Sequence, residues 1–443
     1  VRLYCGDFIE RNVMRGMKFG YESRTGGKLF FLCWAAYFST YICRLNFSAI
    51  MPELISRHVF TESQVASVSS AFFICYGVGQ VISGAVGDKI SPRIMIFLGT
   101  FISAASNIFI FFCSRSYGLT LFSWALNGAV QSMVWSPILR VAGEFFTENE
   151  KAKFGVDIAT TVPLGTLASY SVSLLTLLLL PWNYVFLSCG IIVLCVSFYW
   201  YIGTGNVFKA FGKEQKEGAG NASGASGNVP AAPLQNVMPV RELLRMLAEG
   251  GIFVLLLAIA IQGTLKDSVT QWIPTFLESR FNMGVSVSLL LTMLLPVVNV
   301  TGAYLARALN WRLNNELLTS AVFFGAAVGF FALLLTAGGH SIILSVACMA
   351  GVTNCMFAIN VMLITMVPLQ FSRYGRASTV GGILNAMAYV GCGFLNLCAG
   401  MVLEKSNSSW NVLFTMWLIL AVCALVITCI CLIPWKKLRK MCR

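Results

Sequence analysis

WNVLFTMWLILAVCALVITCICLI, residues 410–433, contains no charged side chain and no alternation of apolar with polar residues. Such a run is long enough to cross a hydrocarbon core, which takes about 20 residues of helix. Lipid offers no partner to a backbone N–H or C=O, so only helices and closed barrels span it. A barrel strand alternates apolar and polar residues, so this continuous run selects the helix. Similar blocks recur upstream at 29–51, 65–86, 94–113, 118–143, 156–180, 183–203, 251–276, 284–306, 316–337, 341–368 and 377–402. The composition agrees: of 443 residues 57% are hydrophobic and 11% charged, where a soluble domain has about 25% charge. The expected fold class is all-α, a polytopic membrane protein with twelve transmembrane helices in two six-helix bundles.

The blocks divide six and six around the one long polar stretch, 204–250. The expected units are a segment 1–27, a bundle 28–203, a linker 204–250, a bundle 251–433 and a basic tail 434–443. The linker's middle, GKEQKEGAGNASGASGNVPAAP (212–233), has the composition of a flexible connector. After it, PVRELLRMLAEG (239–250) has apolar residues at helical spacing, with Arg241 and Arg245 on the other side, and reads as a short interfacial helix.

Basic residues fix the orientation. Of 31 Lys and Arg, 24 fall on the side of the linker and both chain ends, and four (Arg57, Arg115, Arg280, Lys405) on the other. The positive-inside rule then puts both termini in the cytoplasm and the chain in the cell's cytoplasmic (inner) membrane. The same distribution explains the net charge of +13 without nucleic acid. Residues 1–28 are polar and lack the apolar core of a signal peptide. Most of the fifteen cysteines (among them Cys33, Cys43, Cys75, Cys189, Cys195, Cys348 and Cys423) lie within apolar runs and read as packing residues. With two histidines and no CxxC pair, no metal site and no cofactor are expected.

The chemistry is expected where charge enters a span, because charge there is costly. Arg44 lies late in span one, in YFSTYICRLNFSAIMPEL (37–54). Tyr37, Tyr41 and Arg44 follow i, i+4, i+7 spacing and share a helix face suited to an oxyanion. Lys266 lies in span seven, in AIAIQGTLKDSVTQWIPTFL (258–277), so the first span of each half carries one basic residue and ends near a proline, Pro52 or Pro274. Substrate sites of transporters sit between such repeats. Two cations facing each other there would repel unless a dianion lay between them, which points to an anionic substrate with phosphate-like groups. Asp267 projects about 100° from Lys266 on the helix, so it need not pair with it; it is a charge partner or a carrier of a coupling proton. Gln80, Trp135 and Asn385, with Tyr389, are in-span polar or aromatic candidates for the site lining. GAVGDKISPR (84–93), with Gly84, Asp88, Lys89 and Arg93, reads as a conformational loop. Glu144 and Asp157 read as loop charges near the ends of spans four and five, with Arg140 as a partner for Glu144 at i, i+4.

Taken together, these stretches resemble the major facilitator superfamily, and within it the organophosphate:phosphate antiporters of the glycerol-3-phosphate and hexose-phosphate type. YICRLNFSAIMPEL, GAVGDKISPR, NGAVQSMVWSPILR (127–140), QWIPTFL and GGILNAMAYVG (381–391) carry the resemblance. It implies that Arg44 holds phosphate, that Tyr37, Tyr41 and Tyr389 are site tyrosines, and that Lys266 stands in for a second arginine. Leu45, where the glycerol-phosphate type has a lysine, Gln80 in place of a base, and the missing span-five histidine make the site less cationic than in those relatives. The resulting expectation is a secondary transporter exchanging a small organophosphate, such as a sugar or glycerol phosphate, for phosphate by alternating access. Its partners would be an anionic solute and the bilayer, and a monomer suffices. Proton-coupled carriage of a carboxylate or other solute and a non-transporting sensor of sugar phosphate are the rivals. No residue set suggests an enzyme.

Overall fold

The computed structural model describes residues 23–87, 90–146, 150, 154, 157–158, 160–220, 238–337, 341–371, 374, 376–406 and 409–442. Span one is Arg24–Ser56, two Glu62–Gly87, three Pro92–Cys113, four Tyr117–Phe145, five Thr161–Leu179 and six Tyr184–Gly220. Span seven is Ile252–Phe281, nine Glu316–Ala337, eleven Ala377–Lys405 and twelve Trp410–Cys442. Span eight is broken at Met293 into Val285–Thr292 and Leu294–Leu313. Pro296 lacks the N–H that would bond the Thr292 carbonyl, which accounts for the break. Span ten, Ile342–Asn360, continues through a π-helical turn, Val361–Met366, and ends at Val367–Leu369.

Ten of these spans are long and apolar enough to cross a membrane by length and hydropathy. Spans one and four are long enough too, at 33 and 29 residues, but contribute polar side chains to the interior. Asn46, Ser48, Ser123, Asn127, Gln131 and Ser132 are all buried. The inward-facing chemistry is what lowers the hydropathy of these two helices.

Two elements outrun the sequence reading. Span six continues as helix into the linker as far as Gly220, because Lys213–Glu217 is a run of good helix formers. Residues 221–237 lie outside the described residues. The basic tail prolongs span twelve to Cys442, and Arg439 forms an ion pair of 3.5 Å with the buried Glu316. The short helix forms at Val240–Glu249, with Leu243 and Leu247 buried and Arg241 and Arg245 exposed.

The halves meet along spans two and eleven. A Cβ on Gly77 would come 2.8 Å from Val390 Cγ2 and 3.1 Å from the Ala386 carbonyl oxygen, so only glycine permits this approach. Within the second half, Gly263 lies against the Ala388 backbone and brings span seven onto span eleven.

The basic face is the side holding the linker, the start of span one and the end of span twelve. Hydrogen bonds join the halves on the other side. Ser48 Oγ donates to the Gln271 carbonyl at 2.8 Å, and Gln271 Nε2 to Ser69 Oγ at 2.8 Å. Tyr170 Oη reaches the Thr270 carbonyl at 3.5 Å. Pro274 has no N–H for that carbonyl, so the proline releases an acceptor that the opposite half takes up. At the rim, Glu404 accepts from Thr61 Oγ1 and from the Ser63 N–H, both at 3.2 Å.

Candidate functional site

Span one presents Tyr37, Tyr41 and Arg44 to the interior, as the spacing predicts. All three are buried. The two tyrosine rings meet edge to face at 5.6 Å, and Trp135 of span four lies 4.8 Å from Tyr37. The Arg44 guanidinium stands over three rings, Tyr76 at 4.5 Å, Tyr41 at 4.7 Å and Phe72 at 5.5 Å. Cation–π attraction of this kind steadies a cation that has lost its water.

A buried amide network aims the guanidinium. Arg44 Nε donates to Gln131 Oε1 at 3.1 Å. The Gln131 amide is fixed by its own donations to the Cys43 carbonyl at 3.3 Å, Ser103 Oγ at 3.1 Å and Asn127 Oδ1 at 3.1 Å. Asn127 is anchored in turn by donating to the Cys43 carbonyl at 2.8 Å. Spans one, three and four are thereby tied around a single arginine.

Arg44 has no carboxylate within ion-pair distance among the described residues, and its Nη2 is buried without a hydrogen-bond partner. Gln80 Nε2 is a second buried donor without a partner. It lies one turn beyond Tyr76 on the face that carries Phe72, Tyr76 and Gln80 at i, i+4, i+8. Such orphan donors are costly and rare in native interiors. The two lie on spans one and two, whose Tyr41, Tyr76 and Phe72 rings stand around the guanidinium.

Across the seam the second cation is differently placed. Lys266 Nζ lies 3.4 Å from Asp267 Oδ2, an ion pair with its own chain neighbour and one of the two roles left open for Asp267. A lysine's four-carbon stem is long and flexible enough to fold back across the 100° between neighbouring positions. The ammonium also lies 5.5 Å from the Tyr389 ring centre and 5.9 Å from that of Phe357. Tyr389 packs on Tyr76 at 4.6 Å. A continuous path Arg44–Tyr76–Tyr389–Lys266 therefore crosses from one half to the other, and the two cations do not touch.

Asn385 sits one turn before Tyr389 on span eleven, half-buried. Gly84 falls in the last turns of span two, and Asp88 and Lys89 lie outside the described residues. Arg93 lies away from the central site. It donates to the Tyr201 carbonyl at 2.9 Å and 3.2 Å and stands 4.3 Å over the Tyr201 ring, clamping spans three and six. Arg140 Nη1 donates to the Ile90 carbonyl at 3.2 Å, joining span four to the loop after span two, while the Glu144 side chain lies outside the described residues.

Tyr76, Phe72, Gln131 and Phe357 are site neighbours that the sequence reading passed over. The available signal for Tyr76 and Phe72 was spacing: stepping back from Gln80 by four residues reaches both. Gln131 lay inside a stretch already singled out, NGAVQSMVWSPILR.

Two helical bundles that pair on a buried site, each supplying one cation from its first span, define a class of membrane protein built from two structural repeats. The sequence model of the Major Facilitator Superfamily matches residues 33–394, and the chain belongs to that family. It is 25% identical over 411 residues, 89% of each chain, to a protein of Bacillus subtilis (strain 168) named glycerol-3-phosphate transporter. It is 28% identical over 138 residues to a probable hexose phosphate transport protein of Chlamydia trachomatis, a match covering 31% of this chain and 30% of that one. The chain thus spans less than a third of this chlamydial relative. A bacterial homolog of the human lysosomal transporter Spinster, crystallised inward-facing and unoccupied, superposes with a TM-score of 0.72 at 13% identity, over 95% of this chain and 98% of that one. At that identity the likeness concerns the fold.

Proposed function

We propose that this protein is a secondary transporter exchanging a small organophosphate, such as a sugar or glycerol phosphate, for phosphate by alternating access. The observation that carries the reading is Arg44: a buried guanidinium with no carboxylate partner among the described residues and an orphan Nη2. A structural arginine in a bundle finds an acid or backbone carbonyls, as Arg93 does at Tyr201, whereas Arg44 keeps Nη2 without a partner. The names of the Bacillus and Chlamydia relatives fit a phosphate-bearing solute.

In this reading Arg44 and Gln80 bind the anionic group, Tyr37, Tyr41, Tyr76 and Tyr389 shape the space around it, and Lys266 approaches from the other half. With the basic face cytoplasmic, as the positive-inside rule directs, the hydrogen bonds through Ser48, Gln271 and Tyr170 hold the outer side shut. An uncompensated charge at the empty site disfavours passage through the closed intermediate; a bound anion removes that charge and permits the switch.

The test is exchange in proteoliposomes loaded with phosphate. Phosphate inside should stimulate uptake of glycerol 3-phosphate, and Arg44→Ala should abolish it. Uptake indifferent to internal phosphate and to Arg44→Ala would overturn the reading. Uptake that follows the pH gradient and is lost in Asp267→Asn would favour proton coupling, and binding without flux would favour a sensor.

A further inference from the structure

The charged inventory of the site sets the charge of what it carries. Three charged side chains of opposed sign lie on spans one and seven: Arg44, Lys266 and Asp267. Asp267 forms its ion pair with Lys266, and no other partner of its carboxylate is described. The pair is partly buried, with side chains 13% and 26% exposed. Around it stand the rings of Tyr389 and Phe357, which carry no charge to offset either partner. On the other half, Arg44 is surrounded by Tyr41, Tyr76, Phe72 and Gln131, again without an acid among the described residues.

We propose that the transported species bears a net charge of −1, as a monoanion or as a zwitterion with one excess negative charge, and that Asp267 is the residue that sets this preference. The proposal rests on the transporter reading above and refines its substrate class. With Lys266 cancelled by its neighbour, the site as a whole carries +1. A single net negative charge neutralises it, while a dianion leaves an excess of −1 between the bundles. In a dry interior such an excess is opposed far more strongly than in water. The penalty falls hardest when both gates are closed, so the same preference governs exchange as well as binding. A zwitterionic ester of net −1 meets the same requirement, with its anionic end at Arg44 Nη2 and Gln80 Nε2.

The experiment is thermal stabilisation of the purified full-length protein at pH 8 by four probes. Glycerol 3-phosphate and inorganic phosphate are present there mainly as dianions, since the second phosphate pKa is about 6 for esters. Phosphoethanolamine and methyl sulfate each carry net −1. In the wild type the net −1 probes should act at concentrations roughly tenfold or more below the dianions, the scale of one unbalanced charge at this depth. Asp267→Asn raises the site to +2 and should reverse the order. The double change Lys266→Gln with Asp267→Asn returns the site to +1 and should restore the wild-type order, with weaker binding throughout. A wild type that prefers dianions, or an Asp267→Asn variant with an unchanged order, would overturn the proposal while leaving anion transport standing. Stabilisation by none of the probes would overturn the anion-binding reading and this refinement with it. Should Asp267→Asn fail to fold, the wild-type order and the double variant decide.

Discussion

The two halves each bring one cation to the centre and treat it in opposite ways. In the first half Arg44 is caged by three aromatic rings and aimed by Gln131, and no acid among the described residues compensates it. In the second half Lys266 is compensated by its immediate neighbour, Asp267. The lesson is that symmetry of residue type between repeats does not imply symmetry of charge. In the proposed reading one half anchors the anion and the other balances it.

The largest test of that contrast is Arg44→Ala. Removing this charge, which no acid among the described residues compensates, should weaken phosphate-ester binding by about 3–5 kcal/mol, roughly a hundredfold or more, read as the ligand concentration needed for thermal stabilisation. A loss smaller than that of Lys266→Ala would reverse the assignment of anchor and balance.

Gln131→Ala should come next. It deletes a hydrogen bond to a charged group, worth about 1.5–3 kcal/mol. Because Gln131 acts through the guanidinium, its cost in ligand binding should vanish in an Arg44→Ala background. Additive losses in that double-mutant cycle would show an independent role.

Smaller again is Tyr76→Leu, which removes one ring of the cage and the stacking partner of Tyr389. A cation–π contact of about 0.5–2 kcal/mol predicts a several-fold loss of binding. The corresponding loss should be weaker for Phe357→Leu, whose ring faces a lysine already paired with an acid.

The smallest effect is expected at the rim. Glu404→Ala removes the acceptor that ties Thr61 and the Ser63 N–H to the opposite half. Each such surface contact is worth about 1 kcal/mol or less. The variant should leave binding intact and raise the labelling of a cysteine placed at Gln64 from the side opposite the basic face. Unchanged labelling would show that the seal rests on Gln271 and Tyr170 instead.

Much of this was legible in the chain, for physical reasons that can be named. Twelve helices follow from apolar runs because lipid permits few other spanning structures, and the observed helices enclose nearly every run. The runs lie within the helices to within one residue, except at the start of span five, which begins at Thr161 where the apolar run begins at 156. The Tyr37–Tyr41–Arg44 face followed from helical spacing alone. Tyr76 was hidden because a tyrosine in an apolar helix resembles core; only its partner across the seam, Tyr389, gives it meaning. The Lys266–Asp267 pair was left open, as one of two roles for Asp267, for another reason. Helical projection fixes where Cβ atoms point, and says nothing of where a long lysine stem folds. That one contact is the ground on which a species of net charge −1 is proposed in place of a dianion.

The most direct test of the central claim, that an uncompensated Arg44 is the anion anchor, is thermal stabilisation by phosphoethanolamine and glycerol 3-phosphate, wild type against Arg44→Gln. The substitution keeps a polar side chain of moderate size and removes the charge. Both probes should raise the melting temperature of the wild type, and neither should raise that of the variant at concentrations up to about a hundredfold above the wild-type midpoint. Equal stabilisation of the two proteins would contradict the account.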